Sequence, residues 1–227
     1  MSTPANTAVT GSSKLVSSIL KVIEDRIIPL TQHGVSSGSK VFGAAILSRS
    51  DLTPLTVATN NERVSPLLHG EINCIQQFYT SSYPDPPSRP DPRKDCIFFA
   101  THEPCSLCLS GITWSGFSEM YFLFTYEDSR DLFSIPYDID ILESVFRVPS
   151  VTASESEEEL SSRPLYNRTN KFFTAKSLAD IVGGVEDDAE KGRLMREIDR
   201  VKGRYNALSE TYQEGKKEGT TSSSVWR

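Results

Sequence analysis

The chain has 227 residues, 37% of them hydrophobic and 24% charged, with a formal net charge of −6. Its length suits one domain with appendages, and its acidic balance argues against a nucleic-acid polymer as partner, because phosphate backbones are usually met by a basic stripe. No cationic leader precedes an apolar run, and no run approaches the ~18 apolar residues of a membrane span. A cytoplasmic protein without membrane contact is expected, with the nucleus also open.

Residues 1–13 are small and polar and are expected to form a flexible tail. From Lys14, the apolar residues Leu15, Val16, Ile19, Leu20, Ile23 and Ile27 recur at helical spacing. Ser12 or Ser13 could cap that helix, and Pro29 would help to end it. "KVFGAAILSRS" reads as a buried strand and "LTVAT" as its antiparallel partner. "PLLHGEINCIQQFYTS" has helical spacing, and the five prolines of "SSYPDPPSRPDPRKD" make an extended surface loop. "CIFFAT" is a third strand, "CSLCLSGITWSG" a helix ended by Gly116, and "EMYFLFTY" a fourth strand. A helix, a hairpin and then alternating helix and strand predict a three-layer α/β/α sandwich around a central mixed sheet, spanning 14–148.

The C-terminal third is less regular. "DIDILESVF" suggests a short helix, and residues 149–164, acidic and serine-rich, suggest a linker or loop. The segment 165–227 reads as a C-terminal extension. In it Val185, Ala189, Gly192, Met195, Ile198, Val201, Tyr205, Leu208 and Tyr212 form one stripe of a long amphipathic helix. Such a stripe is expected first to pack on its own domain, with an oligomer contact, most simply a homodimer, as the alternative. "YNRTNKFF" (166–173) is expected to act as a lid or partner contact, and Trp226 could dock the tail.

The chemistry centres on two short motifs. Cys105 and Cys108 stand i, i+3 at the start of a helix, behind Pro104, so both sulfurs leave one face. The amides and dipole of that helix end favour thiolates, and two thiolates are half of a zinc site. By itself C-x-x-C also fits a redox pair or a structural zinc knuckle. His69-Gly70-Glu71 opens the preceding helix, and H-x-E followed by P-C-x-x-C is the signature of zinc deaminases. A strand leads from the first helix to the second, and a right-handed unit of that kind brings both helix starts to one edge of the sheet. Because residues i and i+2 do not share a helix face, His69 is expected at or before the first full turn. Cys74 and Cys96 fit buried thiols, and Trp114 and Phe117 fit the core.

Residues 41–126, through "VFGAAIL", "SPLLHGEI" and "THEPCSLCLSGI", resemble the cytidine deaminase superfamily, nearer its cytosine, guanine and tRNA-adenosine deaminases than its nucleoside branch. The resemblance implies one Zn²⁺ per chain, held by His69, Cys105 and Cys108, that acidifies a bound water. It makes Glu71 the proton shuttle from water to ring nitrogen and then to the leaving amine. It also implies a substrate-binding asparagine, Asn60 or Asn61, and base contacts from the backbone of Gly70 and the carbonyl of Glu103. His102 would lie near the site without binding metal. The expected function is a zinc-dependent hydrolytic deaminase releasing ammonia from a nucleobase, nucleoside or related aminoheterocycle. A tRNA adenosine deaminase and a non-catalytic deaminase-like subunit are the alternatives.

Overall fold

The computed structural model describes residues 11–151 and 155–220. Most of the expected N-terminal tail and the region of Trp226 lie outside the described residues. Helix α1 (Ser12–Val22) begins behind Gly11, without a side-chain cap from either serine. It continues through a wider π turn (Ile23–Ile27) directly into α2 (Ile28–Val35). Pro29 therefore lies inside this helix and does not end it. A proline there lacks its N–H and its ring crowds the carbonyl four residues back, and a widened turn is one way a helix absorbs that clash.

Strands β1 (Gly43–Ser48) and β2 (Pro54–Thr59) form the expected hairpin, with Ala44 opposite Ala58 and Ile46 opposite Thr56. Helix α3 (Gly70–Gln77) follows, extended by a wider turn at Phe78–Ser82. Next come β3 (Cys96–His102), α4 (Ser106–Trp114) and β4 (Glu119–Phe124). Gly116, at φ +86°, turns the chain after α4 in a conformation that other residues rarely adopt. Beyond β4 lie α5 (Tyr126–Phe133), α6 (Tyr137–Ile141) and, inside the expected linker, a short α7 (Glu157–Ser162). Reciprocal capping between Ser156 and Glu159 supports α7.

The last segment supplies both a strand and helices. β5 (Thr174–Ser177) pairs in parallel with β4, and α8 (Leu178–Gly183), α9 (Asp188–Gly203) and α10 (Tyr205–Lys217) follow. The expected long helix is thus two helices that meet at Arg204. The sheet order is β2-β1-β3-β4-β5, with β1 antiparallel to both neighbours and β3, β4 and β5 parallel, a mixed sheet.

Alternation along the strands sets the layers. Ala44, Ile46, Phe98, Ala100, Met120 and Phe122 face Cys74, Ile75, Leu109 and Ile112 of α3 and α4. Ala45, Leu47, Ile97, Phe99, Tyr121 and Leu123 face the opposite layer, built from α1, α2, α8, α9 and α10. The result is the expected three-layer sandwich. In α9 and α10 the buried side chains are Leu194, Ile198, Val201, Tyr205, Leu208 and Tyr212, so the expected stripe packs on its own sheet from Ile198 onward. Ala189, by contrast, is exposed, and Leu194, outside that stripe, is buried beside the half-buried Met195. Among the described residues no helix is long and apolar enough to cross a membrane.

Candidate metal and catalytic site

The topology explains why the two motifs meet. β2 and β3 are both antiparallel to β1, so they run the same way and end at one edge of the sheet. The helices that follow them, α3 and α4, start at that edge. His69 is the residue immediately before α3, at φ −58° and ψ 158°, and Cys105 occupies the same place before α4, at φ −64° and ψ 172°. Cys108 is the third residue of α4. His69 thus precedes the first turn, as the i, i+2 spacing requires.

His69 Nδ1 lies 3.4 Å from the Cys105 sulfur and 3.7 Å from that of Cys108. All three donor atoms fall within 4.8 Å of one another. Zinc–sulfur and zinc–nitrogen bonds of tetrahedral geometry place such donors about 3.5–3.8 Å apart, so donor chemistry and spacing both fit a zinc ion. Charge supports the same cluster. Cys105 is pulled well below the usual thiol range by its contact with Cys108 and, against its burial, by His69. Burial and the adjacent Cys105 push Cys108 well up. Burial resists protonation of His69, but Cys105 beside it holds the imidazole up at about 9. A cation binding there displaces these shared protons.

Glu71, in the first turn of α3, is 5% exposed. Burial, then the negative Cys105, raises its carboxyl to about 7, near where a proton shuttle works best at neutral pH. Gly70 is required by packing: a Cβ there would stand 2.8 Å from the Phe42 carbonyl and 3.0 Å from Gly43 Cα. The glycine lets α3 start hard against β1.

The other expected residues separate. Asn60 is buried, its Oδ1 accepts from the backbone N–H groups of Lys40 and Glu62 at 3.3 and 3.2 Å, and its Nδ2 has no partner among the described residues. Asn61 is half-buried, and its backbone N–H donates to Leu68. Glu103 directs its carboxylate away into a clasp. Two 3.0 Å hydrogen bonds from Arg168 and one of 2.9 Å from Tyr166 end on it. His102 faces the opposite layer, stacked on Phe124 at 4.7 Å and close to Phe42, Phe133 and Tyr205. Phe117 is buried as expected, but Trp114 is 91% exposed, because it sits on the outer side of α4. Cys74 and Cys96 are buried free thiols.

Two carboxylates went unforeseen. Glu62 Oε1 lies 4.0 Å from His69 Nε2 and 2.8 Å from Lys40 Nζ. Asp138 on α6 is raised to about 7 by burial and then by the charges of Cys105 and Glu71. Neither carries a motif that would single it out in the sequence.

Residues 25–124 match the family described as "Cytidine and deoxycytidylate deaminase zinc-binding region". No curated protein sequence matches the chain. Among solved structures, it is similar to guanine deaminase from Bacillus subtilis, at 21% identity and a TM-score of 0.43, covering 69% of this chain and 98% of that one. Guanine deaminase from Nitrosomonas europaea gives 15%, 0.43, 85% and 86%, and a tRNA:A34 deaminase 14%, 0.41, 77% and 99%. These likenesses are too distant to bear on substrate. The family match spans 100 of the 227 residues, so the likeness to the cytidine and deoxycytidylate deaminase zinc-binding family is that of this region.

Proposed function

We propose that the protein is a zinc-dependent aminohydrolase that releases ammonia from a small aminated heterocycle: a nucleobase, a nucleoside or a related ring. The observation that carries this reading is one arrangement: three donors at zinc spacing with a buried carboxyl, Glu71, in the same helix turn as His69. His69, Cys105 and Cys108 would hold one Zn²⁺, which when bound would supply an acidified water. Two thiolates and a dication sum to about zero charge, so an uncharged ring can enter.

Glu71 would accept one proton from the attacking water and deliver it to a ring nitrogen. It would then carry the second proton, from the new hydroxyl, to the amine as its C–N bond breaks, so that it ends each turnover as it began. Its raised carboxyl suits both directions of transfer. Asn60 is the better of the two asparagines for holding substrate, because among the described residues its buried Nδ2 lacks an acceptor, which a ring carbonyl or nitrogen would provide. Asp138 offers an acceptor for a second exocyclic amine. Gly70 and Glu103 contribute backbone atoms only, since the Glu103 side chain is committed to Arg168 and Tyr166.

A net charge of −6 disfavours a tRNA substrate bound by this chain alone, and the intact Glu71 disfavours a non-catalytic subunit. The test is ammonia release by zinc-loaded protein from a panel of free bases, nucleosides and pterins. At least one compound should turn over, and Glu71→Gln should lower that rate by roughly 10²–10⁴-fold while keeping the metal. Silence across the panel, or an unimpaired Glu71→Gln, contradicts the proposal.

A further inference from the structure

Lys40 and Glu62 form an ion pair of 2.8 Å in which the side chains are only 7% and 1% exposed. A buried pair of this kind is a weak source of stability, because desolvating both charges offsets most of their attraction. Its place next to the metal cluster supplies another reason for it. The imidazole of His69 has two ends. Nδ1 faces the sulfurs at 3.4 and 3.7 Å, and Nε2 faces Glu62 Oε1 at 4.0 Å.

The carboxylate is also firmly placed. One side-chain oxygen, Asn60 Oδ1, accepts from the backbone N–H of both Lys40 and Glu62, so the two halves of the pair are pinned to one amide. Asn60 in turn is fixed by its own N–H donating to the Phe42 carbonyl at 2.8 Å, at the mouth of β1. The chain thus runs from the β1–β2 hairpin through Asn60 to Glu62 and on to the far side of the His69 ring.

We propose that Glu62, held by Lys40, is a positioning residue for His69: it takes the Nε2–H, so that the Nδ1 lone pair is presented to the metal. This role rests on the zinc reading above. The remaining gap to a hydrogen bond is about 1 Å and closes with a small turn of the ring. A carboxylate behind a ligating imidazole fixes its tautomer and raises its basicity. A lone carboxylate would also add a negative charge to a site already holding two thiolates and Glu71. Lys40 cancels that charge, so the pair delivers the acceptor without shifting the net charge of the pocket.

The test uses the full chain and zinc alone. Glu62→Ala should weaken zinc binding about 10–100-fold, read by competition with a chromophoric chelator. Removing Glu62 alone strips a buried Lys40 of its carboxylate and can unfold that variant, so the deciding protein is the double variant Lys40→Met with Glu62→Leu. Replacing a buried pair with apolar residues of similar volume is usually neutral or stabilising. The double variant should therefore match or exceed the wild type in thermal unfolding, yet bind zinc about 10–100-fold more weakly, and its Co²⁺ complex should show an altered visible spectrum. Wild-type zinc affinity together with an unchanged Co²⁺ spectrum in the double variant overturns the role. A wild type that binds no zinc overturns the metal reading and this role with it, whereas wild-type binding with an unaffected double variant overturns this role alone.

Discussion

His69 and His102 lie on opposite faces of one sheet, and their surroundings drive them apart. Cys105 holds His69 protonatable up to about 9 in the absence of metal. Burial among aromatic rings, helped by the charge of Lys202, presses His102 down to about 3. In the unfolded chain a histidine takes up its proton near 6.5. The folded His102 refuses it, so below pH 6.5 the unfolded state binds more protons and stability falls as the pH drops toward 3. The expected slope from this residue is about 1.4 kcal/mol per pH unit at most. Urea melts at stepped pH should show that slope in the wild type and a flatter one in His102→Phe. At this scale the motif residues could be read from the chain because two contiguous runs, "HGE" and "PCSLC", carry them. Glu62, Asp138 and the exposure of Trp114 could not, because each depends on which neighbouring element folds over it. Trp114→Ser should accordingly leave stability within about 0.5 kcal/mol of wild type, read in the same melts.

Elements are joined by a few charged clasps. Glu24, in the wide turn between α1 and α2, accepts from Arg200 at 2.7 and 2.6 Å and from Arg204 at 2.8 Å, tying that turn to the end of α9. The Arg200 hydrogen bond, followed by that of Arg204, holds the Glu24 carboxyl down at about 2. The stabilisation is fully present above about pH 4.5 and is lost as the pH falls toward 2. Both guanidiniums are half-exposed, so the effect at neutral pH is discounted for solvent to about 1 kcal/mol. Glu24→Gln should lose that amount at pH 7 and nothing at pH 2, as thermal melts at both values would show. The clasp of Arg168 and Tyr166 on Glu103 is deeper, because the Glu103 side chain is fully buried. It fastens the strap before β5 to the turn that delivers Cys105, and Tyr126 adds a 2.5 Å hydrogen bond to the Pro104 carbonyl. Arg168→Ala should cost about 2 kcal/mol, less than a fully buried pair because the guanidinium is 42% exposed. The expected helix, hairpin and β3–α4–β4 unit all carry strong periodicity. β5 does not: in "TAKS" Thr174 is the one β-branched residue, none is aromatic, and the segment becomes a strand by pairing with β4.

For the whole molecule, the C-terminal third completes the fold. Leu194, Ile198, Val201, Tyr205, Leu208 and Tyr212 cover one face of the sheet, and each such side chain contributes about 1.5–3 kcal/mol by burial. Their sum is comparable to the ~5–15 kcal/mol that holds a domain folded. A chain ending at residue 164 should therefore aggregate or lack a cooperative unfolding transition, although it retains every motif residue. The sequence showed the stripe but could not say what it packs against, since own-sheet and oligomer contacts demand the same pattern. The central claim is that His69, Cys105 and Cys108 together hold zinc, and the most direct measurement is elemental analysis of purified wild type beside Cys105→Ala. One zinc per chain in the wild type, and well under one in the variant, is the expected result. A zinc-free wild type that does not take up added metal, or a variant that keeps its full complement, would contradict it.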